Sequence, residues 1–217
     1  DGKLQLRFTV DQKTGAKITG IGGKKGMLDK AYYEHLLLDS LEQEEGFKVF
    51  MFHTGIEEFK PEGLEKMDSV PLSLFPKGFN YYGGGHIHQV FSKEVKGYGL
   101  IAYPGPLLPN SFDEFEKLGN GGFYLVEVGD DNKVKAHYEP IAVHNSFPLS
   151  IDCTGMRPEQ IVEEALRQIK GKEFFNSIVL LRLYGKLRSG RQSEIDFRRI
   201  FDELYSKGAV YCAKNTS

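Results

Sequence analysis

The sequence predicts an α+β fold in two parts, and three observations carry that prediction. Residues 1–145 are dominated by short alternating or wholly apolar runs closed by glycine, proline, asparagine and aspartate, the pattern of strands joined by tight turns. Residues 146–217 interleave three such runs with two stretches whose apolar residues recur every three or four positions, the stripe of an amphipathic helix. The 25 glycines among 217 residues exceed the usual share of about 7%. That excess asks for many turns and close backbone approaches.

Taken in order, Leu4, Leu6 and Phe8 alternate with polar residues, and Ile18 and Ile21 follow a turn at 11–15, so residues 4–21 read as a hairpin. Gly22-Gly23-Lys24-Lys25-Gly26 lacks the GxxxxGK[ST] spacing of a phosphate loop. Residues 27–45 read as one helix with Tyr33, Leu37, Leu38 and Leu41 on a single face, His35 riding among polar neighbours. The nearly continuous apolar run at 47–52 reads as a strand buried on both faces, and His53 follows at once. Glu57 and Glu58 come soon after, where a carboxylate ligand or base could stand, although such pairs are usually solvated. Residues 98–103 form a strand stopped by Pro104-Gly105-Pro106, a type II turn with glycine at positive φ. Residues 122–128 and 134–138 make a further hairpin, with His137 beside two lysines.

In the last third, Leu149, Ile151 and Cys153 alternate on a strand, and Pro158 opens a helix striped by Ile161, Val162, Ala165, Leu166 and Ile169. A strand at 178–187 comes next. Ser193-x-x-Asp196 resembles a capping box opening a helix with Phe197, Ile200, Phe201 and Leu204 inward, and 209–213 is the final strand. The order is βαβαβ.

Composition bounds the function classes. A hydrophobic share of 40% with 27% charged residues is that of a soluble globular chain. No apolar run approaches the roughly 18 residues that cross a bilayer, and the start resembles no signal peptide, so a cytoplasmic protein without membrane contact is expected. Cys153 and Cys212 are then expected as buried, reduced thiols. Residues 146–217 hold 12 Lys and Arg against 9 Asp and Glu, and the rest hold 16 against 21. The basic part is the C-terminal one.

The stretch that carries chemistry is Tyr81-Tyr82-Gly83-Gly84-Gly85-His86-Ile87-His88. On an extended backbone, residues i and i+2 point to one side, about 6.5 Å apart along the chain. That spacing suits one ligand on each ion of a metal pair, whose ions sit roughly 3.5–4 Å apart in phosphoesterases. His53 also stands at the carboxyl end of a strand, where open sheets bind ligands. Neutral imidazole suits manganese, zinc or iron.

Val49-Phe50-Met51-Phe52-His53-Thr54-Gly55-Ile56, Tyr82-Gly83-Gly84-Gly85-His86-Ile87-His88 and Tyr103-Pro104-Gly105-Pro106 resemble the last motifs of the calcineurin-like metallophosphoesterases. Within that superfamily the chain most resembles the SbcD-type DNA double-strand break repair nuclease, known in eukaryotes as meiotic recombination eleven. Leu180 to Leu187 and the ending Lys214-Asn215-Thr216-Ser217 resemble that family's DNA-facing cap. The resemblance implies that residues 1–145 are the second half of a phosphoesterase β-sandwich with flanking helices, and that 146–217 are a small α+β cap. It implies two divalent ions, expected to be manganese, with His53 and His86 on one and His88 on the other. It implies DNA contact through Lys186, Arg188 and Arg191, with Arg198 and Arg199 on the following helix as weaker candidates. It also implies an SMC-like ABC ATPase of the SbcC type as partner, a homodimer in the complete protein, and a nucleoid-associated location.

The family's early Asp-x-His, Gly-Asp and Gly-Asn-His-Asp motifs have no counterpart here, and Pro106 stands where a serine is usual. The chain is therefore expected to be the C-terminal part of a longer exo/endonuclease, with no catalytic residue of its own and no activity alone. Loss of a sandwich layer is expected to expose apolar surface around Phe50 and Phe52 and an open strand edge. A phosphoesterase acting on a small phosphodiester, or a non-catalytic DNA- or protein-binding module, stand as the alternatives.

Overall fold

The computed structural model describes residues 2–24, 28–64 and 66–216. Asp1 at the opening, Lys25 and Gly26 of the glycine-rich stretch, Met27 at the predicted helix start, Glu65 in the loop after His53 and Ser217 of the cap-like ending lie outside them. The chain forms two units, Asp1–Leu107 with Gly122–Glu139, and Leu108–Gly121 with Pro140–Ser217.

The first unit is built on a six-stranded sheet: β1 (Thr9–Val10), β2 (Lys17–Ile21), β3 (Lys48–His53), β4 (Tyr81–Gly85), β5 (Val90–Val95) and β6 (Gly99–Pro104), in the order β1-β2-β3-β4-β6-β5. Strands β2, β3, β4 and β6 run parallel, and β1 and β5 close the edges antiparallel. Only the end of the predicted first strand pairs, Thr9 with Ile18 and Val10 with Lys17, while Leu4, Leu6 and Phe8 pack against the core from a mostly unpaired segment. β5 has no counterpart among the predicted strands, because an edge strand with Ser92, Lys93 and Glu94 facing solvent carries little alternation.

The expected helix over 27–45 is two short ones, α1 (Lys30–Glu34) and α2 (Asp39–Glu42). The interruption has a cause. The Leu4 N–H donates to the His35 carbonyl and the Leu37 N–H to the Leu4 carbonyl, so the backbone between the helices bridges to the N-terminal segment. Tyr33 and Leu41 are buried as the apolar face required. Lys48 is buried too, its ammonium donating to the carbonyls of Leu41 (2.9 Å) and Glu42 (3.1 Å) at the end of α2, where the helix dipole favours a cation.

β3 is covered on one face, not both. Phe50 and Phe52 enter an aromatic core with Phe75, Phe79 and Tyr103, whereas the alternate residue Met51 is 48% exposed. The apolar surface expected around Phe50 and Phe52 is therefore absent there. It lies on the opposite face, at Met51 and Ile18. A separate two-stranded sheet, β7 (Gly121–Val128) with β8 (Val134–Ile141), is the hairpin that the sequence predicts, and it turns through Asn132 at positive φ.

The second unit follows the expected βαβαβ order: β9 (Asn145–Asp152), α4 (Pro158–Ile169), β10 (Ser177–Tyr184), α5 (Phe197–Ser206) and β11 (Ala209–Asn215). All three strands are parallel, in the order β11-β10-β9. α4 and α5 bury Ile161, Ala165, Ile169, Ile200 and Leu204 against Leu149, Val179, Leu181 and Cys212. The cap of α5 is Asp196, whose carboxylate accepts from the Arg199 N–H at 3.1 Å, while Ser193 sits in a preceding single turn. Cys153 and Cys212 are buried and unpaired with each other, and burial pushes the Cys212 thiol up to about 11.

A helix that the sequence reading does not contain, α3 (Phe112–Leu118), packs on the same sheet, capped by the Ser111 hydroxyl accepting from the Glu114 N–H. Arg182 of β10 holds it, donating through Nε and Nη2 to both carboxylate oxygens of Glu116 (2.7 Å each) and to Asp113 (2.9 Å), with its guanidinium over the Phe112 ring. Such a fork suits arginine alone.

Candidate metal centre

Three adjacent parallel strands end together. β2 runs into Gly22 and Gly23, β3 into His53, and β4 into Gly85 and His86, with His53 directly opposite Gly85 in the ladder. Alternation along β3 sends Phe50 and Phe52 into the core and therefore places His53 on the face of Met51. That face carries an open groove of about 780 Å³ bordered by Ile18, Met51, His53, Tyr81, Pro104 and Tyr124.

The rings of His53 and His86 lie 5.6 Å apart, centroid to centroid, at an angle of 64°. The extended His-x-His arrangement is not what brings them there. β4 stops at Gly85, and His86 takes φ of 81°, a conformation uncommon outside glycine and visited by asparagine, aspartate and histidine more often than by other residues. Such strain concentrates at functional sites. Ile87 is then buried, and His86 and His88 are both exposed on either side of it. The bend pairs His86 with His53 from the neighbouring strand.

Glycine makes the space. A Cβ at Gly23 would stand 2.7 Å from Cδ2 of His53, and one at Gly85 would stand 2.5 Å from its Nδ1. The imidazole occupies a slot between two bare backbones. Glu58 is engaged elsewhere, its carboxylate accepting from the Leu72 N–H at 2.9 Å. Of the remaining histidines, Nδ1 of His35 lies 2.7 Å from the Ala31 carbonyl, that of His144 lies 2.8 Å from the Asn176 side chain, and His137 stands by Glu127.

Among the described residues, no three His, Cys, Asp or Glu side chains stand close enough to hold one ion. The donor set in hand is thus a pair, His53 and His86, with His88 beyond the bend. In the second unit, Lys186, Arg188 and Arg191 are exposed on the turn after β10 and make no ion pair among the described residues. The Arg188 N–H donates to the Met156 carbonyl and the Gly155 N–H to that of Lys186, which ties this turn to the one before α4. Arg198 pairs weakly with Asp202.

No family model matches the chain. Curated proteins do. A DNA double-strand break repair protein Mre11 from Methanococcus maripaludis is 33% identical over 87 residues, 39% of this chain and 22% of that protein. One from Methanopyrus kandleri is 34% identical over 126 residues, 55% of this chain and 27% of that protein. One from Saccharolobus solfataricus is 29% identical over 98 residues, 43% of this chain and 25% of that protein. The chain is similar to Mre11 proteins. These matches are partial, and the chain spans about a quarter of the length of the curated relatives it matches.

Proposed function

We propose that this chain supplies part of the metal centre and the DNA-facing cap of an SbcD-type, Mre11-like nuclease acting on DNA double-strand breaks. The observation that carries the reading is the pairing of His53 with His86, two imidazoles 5.6 Å apart on neighbouring strand ends, with His53 set between glycines at the edge of a groove. Paired exposed imidazoles fit a divalent transition metal, and manganese is the ion that the resemblance to SbcD-type nucleases implies. His53 and His86 would share one ion and His88 would serve a second. Carboxylates and further donors would come from sequence outside these residues.

When bound, ions of this kind polarise a phosphodiester and activate water. The chain's own contribution is orientation. β3 and β4 place the two rings side by side, and Gly23 and Gly85 leave the slot that the His53 imidazole fills. Lys186, Arg188 and Arg191, on a turn that also contains Gly190, would meet DNA phosphates. An SbcC-type ABC ATPase and a second copy of the complete protein are the proposed partners.

The test is cleavage of linear duplex DNA by the complete protein in manganese. His53→Ala and His88→Ala should each abolish it without changing duplex binding. Replacing the three basic residues should weaken binding and lower its salt slope by about one for each phosphate no longer neutralised. Intact cleavage in His88→Ala refutes the metal assignment, and a flat salt response favours a small phosphodiester substrate.

A further inference from the structure

We propose that Tyr103 is a positioning residue for His53, acting through a hydroxyl latch that reaches beneath β4. Tyr103 lies on β6, separated from β3 by the intervening strand β4. It is fully buried, yet its hydroxyl is satisfied on both sides: it donates to the Thr54 carbonyl at 3.0 Å and accepts from the Ile56 N–H at 3.1 Å. Thr54 is the residue immediately after His53.

Gly84 explains how the ring gets there. A Cβ at that position would stand 2.6 Å from Cε1 of Tyr103 and 2.6 Å from Cζ of Phe52, so the missing side chain on β4 is the passage through which the ring reaches the loop. Tyr103 and Phe52 then meet edge to face at 5.4 Å. The backbone around His53 is thus held by the ladder to Gly85 before the turn and by the phenol just after it. Both bonds are buried, where an unmet carbonyl or N–H is costly, so the loop is fixed rather than merely covered. Burial also pushes the phenol's pKa up, which keeps the donor protonated.

This accounts for two features that the paired histidines leave unexplained: a buried tyrosine where phenylalanine would fill the core equally well, and a third glycine, Gly84, whose nearest neighbours are Phe52 and Tyr103. The inference rests on reading His53 as a ligand only in its last step; the latch itself does not.

The variant Tyr103→Phe keeps the ring contacts with Phe52 and Gly84 and removes only the hydroxyl. In the metal-free protein, hydrogen exchange at the Ile56 amide should accelerate, and NMR relaxation should show greater motion of the His53 ring while that of His86 stays unchanged. Titration with manganese should then show the His53 ring signal broadening at concentrations about tenfold higher than in the unaltered chain, the usual scale for residues behind a ligand. Unchanged His53 order in the variant overturns the proposal whether or not metal binds. If His53 order falls but neither protein shows broadening at His53, the latch stands and the metal reading fails.

Discussion

Gly85 and His53 face each other across the β3–β4 ladder so closely that a methyl group on Gly85 would come within 2.5 Å of the imidazole Nδ1. Its neighbour Gly84 would bring the same methyl against Phe52 and Tyr103 in the core. The two positions differ in what can give way. His53 is exposed and can rotate, whereas the rings beneath Gly84 are fixed by packing. Gly84→Ala should cost about 1–3 kcal/mol in urea unfolding, the range for overpacked cores. Gly85→Ala should cost less, yet weaken manganese binding more. Equal stability losses in the two variants would contradict the slot.

Alkaline pH should unfold the first unit early. Tyr33, Tyr82 and Tyr103 all have phenols pushed up from 10.0, chiefly by burial. Above pH 10.0 the unfolded chain has released protons that the folded chain still holds, so stability falls as pH rises. Lys48, whose pKa burial lowers from 10.5, acts in the opposite sense, but it stands against these three phenols and the likewise raised ones of Tyr81, Tyr98 and Tyr138. Tyr33 is the informative position, since its hydroxyl has no hydrogen-bond partner among the described residues. Tyr33→Phe should leave stability near neutral pH unchanged or raise it by up to about 1 kcal/mol. It should also flatten the decline that sets in above the ordinary phenol pKa of about 10. Urea midpoints at three pH values decide this, and an unchanged slope would count against it.

Arg182 anchors α3 by its fork on Glu116 and its bond to Asp113. Arg182→Lys keeps the charge but not the planar geometry, so lysine should restore little of what Arg182→Ala removes. Limited trypsin digestion reads this directly. Cleavage after Lys117 should be slow in the unaltered protein and fast in both variants. Protection in the lysine variant equal to that of arginine would show that charge alone holds the helix.

The second unit's βαβαβ order is legible in the sequence, because its helices carry wide apolar stripes and its strands bury alternate residues. The first unit is legible only where local pattern decides structure. Residues 27–45 have the spacing of one helix, but a bridge to Leu4 breaks them, and nothing local announces a partner more than 30 positions away. α3 does carry a local signal, Ser111 three residues before Glu114. At the candidate centre the histidines stand out by type and spacing, while their geometry does not. His86 meets His53 because the chain bends at positive φ, and the roles of Gly23 and Gly84 depend on which strands are neighbours, which tertiary pairing alone determines.

Whether His53 and His86 share an ion decides the functional assignment. Crystals of this chain soaked in manganese, with diffraction recorded at a wavelength where that metal scatters anomalously, provide the direct test. The expected result is an anomalous peak bonded to one nitrogen of each ring, at about the 2.1 Å typical of metal–imidazole bonds. Manganese bound only elsewhere, with both rings left without it at saturating concentration, would contradict it.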